Sequence, residues 1–336
     1  MQKMALSEEN KKEGKAKAML IINPVSGTRS KEGLGKTVAK ALGKKGIETE
    51  IRLTTAAGDA SKFAREAVEK GYDSVIAAGG DGTVNEIAGA LCHTDTTLGI
   101  VPLGSGNGLA RTLGIPQDVD EALKIICRHH SIKCDRGIVN GKDPFYCTFG
   151  VGLDAAVSET FASMRHRGRT TYILSIIREF VRYKSQPYAL QINGKVITEK
   201  ALLIAVCNAS QYGNNAYIAP KAKLSDGLLD VTVIHSGSPL SSMLVGVDLM
   251  TGFLDRNTSI ETFQVSGVAI SRLTDGPVHL DGEPRIMGKT MKVNCDERAL
   301  NVFAPEKDET FRPIISPLRA LVNDMRNDLK AMFLNR

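Results

Sequence analysis

Between residues 18 and 134 short apolar runs alternate with helix-patterned segments, and this alternation restricts the possible folds more than any other feature. Strands are expected at 18–22, Glu48–Leu53, Ser74–Ala78 and Leu98–Val101, with helices at about Gly33–Lys45, Asp59–Lys70 and through Leu91. Such alternation calls for a parallel sheet covered by helices. Three of the runs end in glycine loops: Asn23-Pro24-Val25-Ser26-Gly27, Gly79-Gly80-Asp81-Gly82 and Pro102-Leu103-Gly104-Ser105-Gly106-Asn107-Gly108. Ligands of open parallel sheets bind where strands end, so the three loops should converge on one edge.

The middle loop continues as Thr83-Val84-Asn85-Glu86 and then as a helix pattern with Ile87, Ala88 and Leu91. Its glycines let backbone amides approach a bound group with no Cβ in the way. The helix start adds free N–H groups and the positive end of a dipole, which together favour an anion. Asp81 beside a phosphate makes sense when it works through a metal or the nucleotide. The plainer alternative is a strand-to-helix turn capped by Thr83.

Past Asp135 the pattern turns to short β-type runs: Pro144–Phe149, Tyr188–Ile192, Lys200–Asn208, Leu229–Ile234, Thr262–Ser271, Pro277–Leu280 and Leu300–Phe303. Only Arg169–Tyr183 and Pro239–Phe253 look helical between them. The expectation is an α/β nucleotide domain over 18–134 and a mostly antiparallel β-sandwich over 135–308. Beyond Pro317, Leu318, Leu321, Val322, Met325, Leu329, Met332 and Phe333 recur at spacings of three and four. They mark an amphipathic helix within 309–336 that docks back on the first domain. A membrane or a second copy of the chain, as a homodimer, stays open as its partner.

The length of 336 residues suits two domains. Apolar runs such as Ala201–Cys207 fall far short of the roughly 20 residues that span a bilayer. The first 17 residues are polar and lack a signal-peptide stretch, so a cytoplasmic location is expected. The six cysteines are scattered without paired spacing, which favours free thiols in a reducing compartment. The net charge of +6 is uneven: Arg165, Arg167, Arg169, Arg178, Arg182 and Lys184 face one acid, Glu179. That stretch suits anionic lipid headgroups or a solvated helix face. Nucleic acid is set aside, since no binding motif or aromatic stacking series accompanies the charge.

Asn23–Gly27, Gly79–Glu86, Pro102–Asn107 and Asp281-Gly282-Glu283, in that order, resemble the diacylglycerol-kinase-like lipid kinases, a group that includes sphingosine and ceramide kinases. The resemblance spans about residues 18–305. It implies a nucleotide domain related to phosphofructokinase and NAD kinase, a β-sandwich completing the cleft, and an ATP- and Mg2+-dependent kinase acting on a lipid hydroxyl. Asn23, Ser26 and Thr54 would lie near the nucleotide. Gly80, Asp81, Gly82, Thr83 and Glu86 would hold the phosphates, with Asp81 catalytic through Mg2+. Ser105 and Asn107 continue that lining. Glu283 matches the family's general base, placed by the Leu280-Asp281-Gly282 strand end. Lys223, Asp226 and Leu228 match a structural Mg2+ site built from one carboxylate and two backbone carbonyls, and Asp135 matches a carboxylate linking it to the active site. Oxygen-only ligation suits a hard cation.

A lipid hydroxyl holds its proton far above neutral pH, and a carboxylate in hydrogen-bond reach can take it as attack proceeds. Phosphoryl transfer otherwise needs positioning and charge neutralisation. Many bacterial members carry an acid after the third-loop asparagine, where this chain has Gly108. The small residue is similar to sphingosine-kinase relatives, so a sphingoid base stands as an alternative acceptor to diacylglycerol. The enzyme would act as a peripheral membrane protein, with the lipid tail in an apolar cavity of the second domain. An NAD-kinase-like metabolite kinase and a catalytically dead sensor are the remaining alternatives. Against them stand Asn85-Glu86, which closely follows the glycines of the middle loop, and the acids Asp81 and Glu283.

Overall fold

A computed structural model describes residues 15–27, 31–163, 183–213, 215–236 and 257–306, with residues 245, 248, 249, 252 and 254. The first half runs β1 (Lys17–Ile22), α1 (Leu34–Gly43), β2 (Glu48–Leu53), α2 (Asp59–Glu69), β3 (Ser74–Gly79), α3 (Asp81–Leu91) and β4 (Thr97–Pro102). These strands are parallel in the order β4-β3-β1-β2. Ile22 sits level with both Leu53 and Ala78, and Gly79 with Pro102. All four C-terminal ends therefore share one edge, as the glycine loops require. β3 is buried along its whole length and β1 along all but its first residue, so both sheet faces carry a core. Met19, Ile21, Val75 and Ala77 pack under α2 and α3, while Leu20, Ile22, Ile76 and Ala78 pack under α1. Each of the Met, Leu, Ile and Val side chains among them contributes about 1.5–3 kcal/mol on burial.

The second half begins with α4 (Gly108–Thr112), α5 (Val119–Arg128) and β5 (Ser131–Val139). It continues through β6 (Asp143–Phe145), β7 (Thr148–Gly152), α6 (Leu153–Ser163), β8 (Gln186–Ile192), β9 (Lys195–Cys207) and β10 (Leu229–His235). The last strands are β11 (Ile260–Val265), β12 (Gly267–Arg272), β13 (Gly276–Leu280), β14 (Glu283–Met287) and β15 (Thr290–Phe303). Apart from the single β15–β4 contact, at Val302 and Leu98, pairing here is antiparallel. Phe145, Phe149, Val151, Ile204, Val231, Ile270, Val278 and Val293 fill the sandwich interior.

The single strand expected over Thr262–Ser271 is two. β11 pairs with β10, whereas β12 pairs with β8 and β15. Buried Val265 and Val268 are an odd number of residues apart, so the two-residue alternation breaks between them and the chain changes partners at exposed Ser266. The run expected over Pro144–Phe149 is likewise two strands, β6 paired with β5 and β7 with β9 and β13. Strands β5 and β14 and helices α4, α5 and α6 lie where the sequence pattern gave no element. Asp135 sits in the middle of β5, and β5 with β15 passes from the sandwich to the parallel sheet. The expected helix over 309–336, nearly all of 169–183 and most of 239–253 lie outside the described residues, as do Arg165 to Arg182. All six cysteines are free thiols, and among the described residues no helix is long and apolar enough to cross a membrane.

Candidate active site

The three glycine loops meet above the C-terminal ends of β1, β3 and β4 and lock onto one another. Asn23 donates its backbone N–H to the Ala78 carbonyl (3.0 Å) and its side-chain amide to Thr83 Oγ1 (3.1 Å). Ser26 Oγ accepts from the Gly80 amide (2.7 Å), and the Leu103 amide donates to Gly79 O (2.8 Å). A Cβ on Gly104 would stand 2.6 Å from the Gly80 Cα, so the close approach of the second and third loops needs glycine there.

Asp81 opens α3, and both of its oxygens reach the third loop. Oδ2 accepts from the Asn107 amide (2.8 Å) and Oδ1 from the Gly108 amide (2.7 Å). Burial pushes the Asp81 carboxyl above the usual carboxylate range, while these amides and its own hold it down. Asn107 is buried and folds its loop: its Oδ1 accepts from Gly104 N (3.1 Å), and its amide donates to Gly104 O and Gln117 Oε1 (both 2.7 Å). Gly82 and Ser105 are left exposed beside the start of α3, where the N-cap residue Gly80 supplies no side-chain cap. An uncapped helix start of this kind receives an anion through its first-turn amides.

Thr54 is buried at the end of β2 with its amide on Ile22 O (3.0 Å). Glu86 points to the next loop along, accepting from Gly58 N with both oxygens (3.1 Å each) and from Ser61 N (3.4 Å). It thereby serves the N-terminus of α2 and braces the loop that leaves Thr54.

Glu283 comes from the other half of the chain. β13 and β14 are joined by Asp281-Gly282, both with positive φ (51° and 83°), and Leu280 pairs with Glu283 across the turn. Asn-Gly and Asp-Gly are the residue pairs such two-residue hairpin turns favour. The Glu283 side chain is exposed, and its Oε1 lies 4.0 Å from where a Cβ on Gly82 would be. A carboxylate thus faces the uncapped start of α3 across the cleft.

Asn85 and Asp281 have a role that no local pattern announced. Asp281 accepts from the amides of Tyr146 (2.8 Å), Cys147 (2.7 Å) and Thr148 (2.9 Å) and from the Asn85 side chain (2.9 Å). The Asn85 bond ties α3 directly to the turn that carries Glu283. Burial pushes the Asp281 carboxyl up, the three amides pull it back, and the charge of Asp81 adds to the push.

Lys223, Asp226 and Leu228 form one loop on the sandwich side. Asp226 is exposed, with Oδ1 accepting from the Leu228 amide (3.1 Å). Buried Asp135 supports the loop by accepting from Gly227 N and Arg298 N (2.7 Å each), while its own amide donates to Leu224 O (2.6 Å). Burial, with the charge of Asp226, pushes nearby Asp230 up to about 6. Among the described residues no three His, Cys, Asp or Glu side chains are grouped to hold a metal ion. A site of one carboxylate and two carbonyls would not need such a group. A separate cavity of about 600 Å³, lined in part by Tyr72, Asp73, Asp95, His129 and Phe303, opens at the opposite edge of the parallel strands.

Fold and site together define a phosphotransferase built from an α/β half and a β-sandwich. The profile of the diacylglycerol kinase catalytic domain matches residues 17–139, and that of the YegS C-terminal NAD kinase beta sandwich-like domain matches residues 147–304. A protein of Chromohalobacter salexigens assigned as a YegS-like lipid kinase is 32% identical over 267 residues, covering 78% of this chain and 85% of its own. A diacylglycerol kinase of Staphylococcus aureus is 29% identical over 295 residues, covering 86% and 92%. A crystal structure from Bacillus anthracis str. Sterne, assigned as a diacylglycerol kinase, superposes with a TM-score of 0.73 at 27% identity. It covers 88% of this chain and 99% of its own. The chain belongs to the diacylglycerol-kinase-like lipid kinase family.

Proposed function

We propose that this enzyme transfers the γ-phosphate of ATP to the hydroxyl of a diacylglycerol-type lipid, with Glu283 taking the hydroxyl proton. The observation that carries this reading is the Glu283 carboxylate opposite Gly82, at the uncapped start of α3. Phosphate on the α3 amides and a hydroxyl beside Glu283 would stand face to face. Relatives named diacylglycerol kinase favour that acceptor over a sphingoid base or NAD. At Gly108 a Cβ would meet Cys147 Sγ and Tyr212 O at 3.3 Å, so a larger residue there would need these neighbours to shift by a few tenths of an ångström. The test incubates labelled ATP and Mg2+ with diacylglycerol, monoacylglycerol, sphinganine, ceramide, phosphatidylglycerol and NAD in mixed micelles. Label on diacylglycerol is expected; preferential labelling of sphinganine would move the assignment to a sphingoid base.

Mg2+ enters the same reading at two places. At the phosphates it would neutralise charge, with Asp81 the carboxylate that would engage it. In the sandwich, Asp226 with the carbonyls of Lys223 and Leu228 is an oxygen set that fits a hard cation. The fit draws on exposed Asp226 close to raised Asp230, where a cation offsets the mutual repulsion. Added Mg2+ is expected to raise the Tm of the wild type and leave that of Asp226→Ala unchanged, as read by thermal denaturation. Equal shifts in both would remove Asp226 from the site.

Peripheral binding to membranes rests on the basic run from Arg165 to Lys184, all but Lys184 outside the described residues. Each cation near an anionic surface contributes about 1 kcal/mol, screened by salt. Sedimentation with anionic vesicles is expected to be strong at low salt and weak at high salt. Binding indifferent to salt would count against this orientation.

A further inference from the structure

The turn that aims Glu283 is held by a buried polar chain that phosphate binding does not use. His279, on β13, is 1% exposed, and its Nδ1 accepts the Gly282 N–H at 3.2 Å. Its Nε2 lies 3.1 Å from Asp154 Oδ2 in the first turn of α6. The same oxygen accepts from Tyr212 OH at 3.1 Å, and Asp154 Oδ1 accepts from Ala155 N at 2.8 Å. The Tyr212 ring stands edge-on to the imidazole, with centroids 5.9 Å apart. A Cβ on Gly150 would overlap both Asp154 Oδ2 and His279 Nε2, so the strand beneath the pair is cut to fit it.

These bonds fix the imidazole's tautomer. The Gly282 N–H can only donate, so Nδ1 carries a lone pair and the ring proton sits on Nε2, aimed at Asp154. A carboxylate behind a histidine commonly sets orientation and tautomer in this way. The bond at Gly282 falls on the residue immediately before Glu283. Its neighbour Asp281 is already fixed by three amides and Asn85, so the turn is held on both sides of its tip. Tyr212 extends the chain towards the nucleotide loops, since its carbonyl packs over Gly108.

We propose that His279, oriented by Asp154 and Tyr212, is a positioning residue for Glu283: by accepting the Gly282 N–H it fixes the turn that aims the carboxylate at the α3 N-terminus. The inference rests on the reading of Glu283 as the base. Two substitutions separate the two ring nitrogens. His279→Asn keeps an acceptor near the Nδ1 position, whereas His279→Gln reaches the Nε2 position and leaves Gly282 N–H without a partner. Asp154→Asn offers one acceptor oxygen to three donors.

The experiment measures diacylglycerol phosphorylation by the full chain at saturating ATP, with KM for ATP as the control for an intact nucleotide site. His279→Gln is expected to lower kcat about 100-fold, the scale of a 1 Å misplacement. Asp154→Asn should lower it about 10-fold or more. In both variants KM for ATP should stay within about 2-fold, and His279→Asn should recover most of the kcat lost in His279→Gln. Wild-type kcat in His279→Gln and Asp154→Asn, alongside an inactive Glu283→Gln, would overturn the positioning role while leaving the base in place. Full activity in Glu283→Gln would instead remove the base reading itself. Independently of how the variants fold, the 15N spectrum of the wild-type imidazole should show the Nε2–H tautomer; an Nδ1–H form or an imidazolium would overturn the proposal.

Discussion

Asp81→Ala is expected to reduce phosphate transfer by about 1000-fold and also to destabilise the protein. Two contributions combine. The catalytic one is electrostatic: the carboxylate that would engage phosphate-bound Mg2+ is gone. The structural one follows from the hydrogen bonds at 2.8 and 2.7 Å to Asn107 N and Gly108 N. Hydrogen bonds to a charged acceptor contribute about 1.5–3 kcal/mol each. Removing the acceptor leaves two amides of the third loop unpaired, although the burial cost of the carboxylate disappears with it. A net loss of about 3 kcal/mol is expected. Asp81→Asn separates the effects, because one side-chain oxygen can still accept from the loop while the charge is absent. Urea denaturation and steady-state kinetics on both variants check this. Wild-type stability in Asp81→Ala would show that the third loop does not need the clamp.

Much of the first half could be read from local pattern. β3 and β4 emerge within a residue of the expected runs, and the glycine loops lie where these strands end, because a buried parallel strand is a short apolar run closed by turn residues. Glu48–Leu53 keeps its expected bounds as an edge strand with no buried residue. The sandwich was less legible. β14 (Glu283–Met287) is mostly exposed and contains a proline, and β5 mixes charged with apolar residues, so neither gives a clean alternation. β15 alternates over Thr290–Cys295, with Met291 and Val293 buried, but loses the period at Asp296–Arg298. Only the apolar end of β15, Leu300–Phe303, stands out as a run.

The site divides the same way. Asp81 and Glu283 could be picked out because each sits beside glycines in a short, distinctive string. What each carboxylate touches could not. The Asn85–Asp281 bond joins residues 196 apart and the His279–Asp154 pair residues 125 apart. Such contacts depend on how elements far apart in the chain pack together, and no local periodicity encodes them. Glu86 illustrates the limit from the other direction. Its place in the Gly79–Glu86 segment implies the phosphates, yet its carboxylate lies on the amides that begin α2.

Glu283→Gln is expected to lower kcat by about 100- to 10,000-fold, the range spanned by general-base catalysis. The amide keeps the size and much of the hydrogen bonding of the side chain but cannot take a proton at neutral pH. Because Glu283 is exposed at the start of β14, and the turn before it is held by Asp281 and His279, fold stability should be nearly unchanged. KM for ATP should also hold, since no nucleotide loop contains Glu283. A fall in kcat without a change in stability or ATP affinity distinguishes a lost base from a damaged cleft.

On the proposed function, Glu283 activates a lipid hydroxyl across the cleft from phosphate held at the start of α3. Side-by-side transfer from labelled ATP to diacylglycerol by the wild type and Glu283→Gln tests it most directly. Labelled lipid is expected from the wild type and about 1% of that rate or less from the variant, with equal ATP binding. Equal labelling by both proteins, or label appearing on NAD alone, would contradict it.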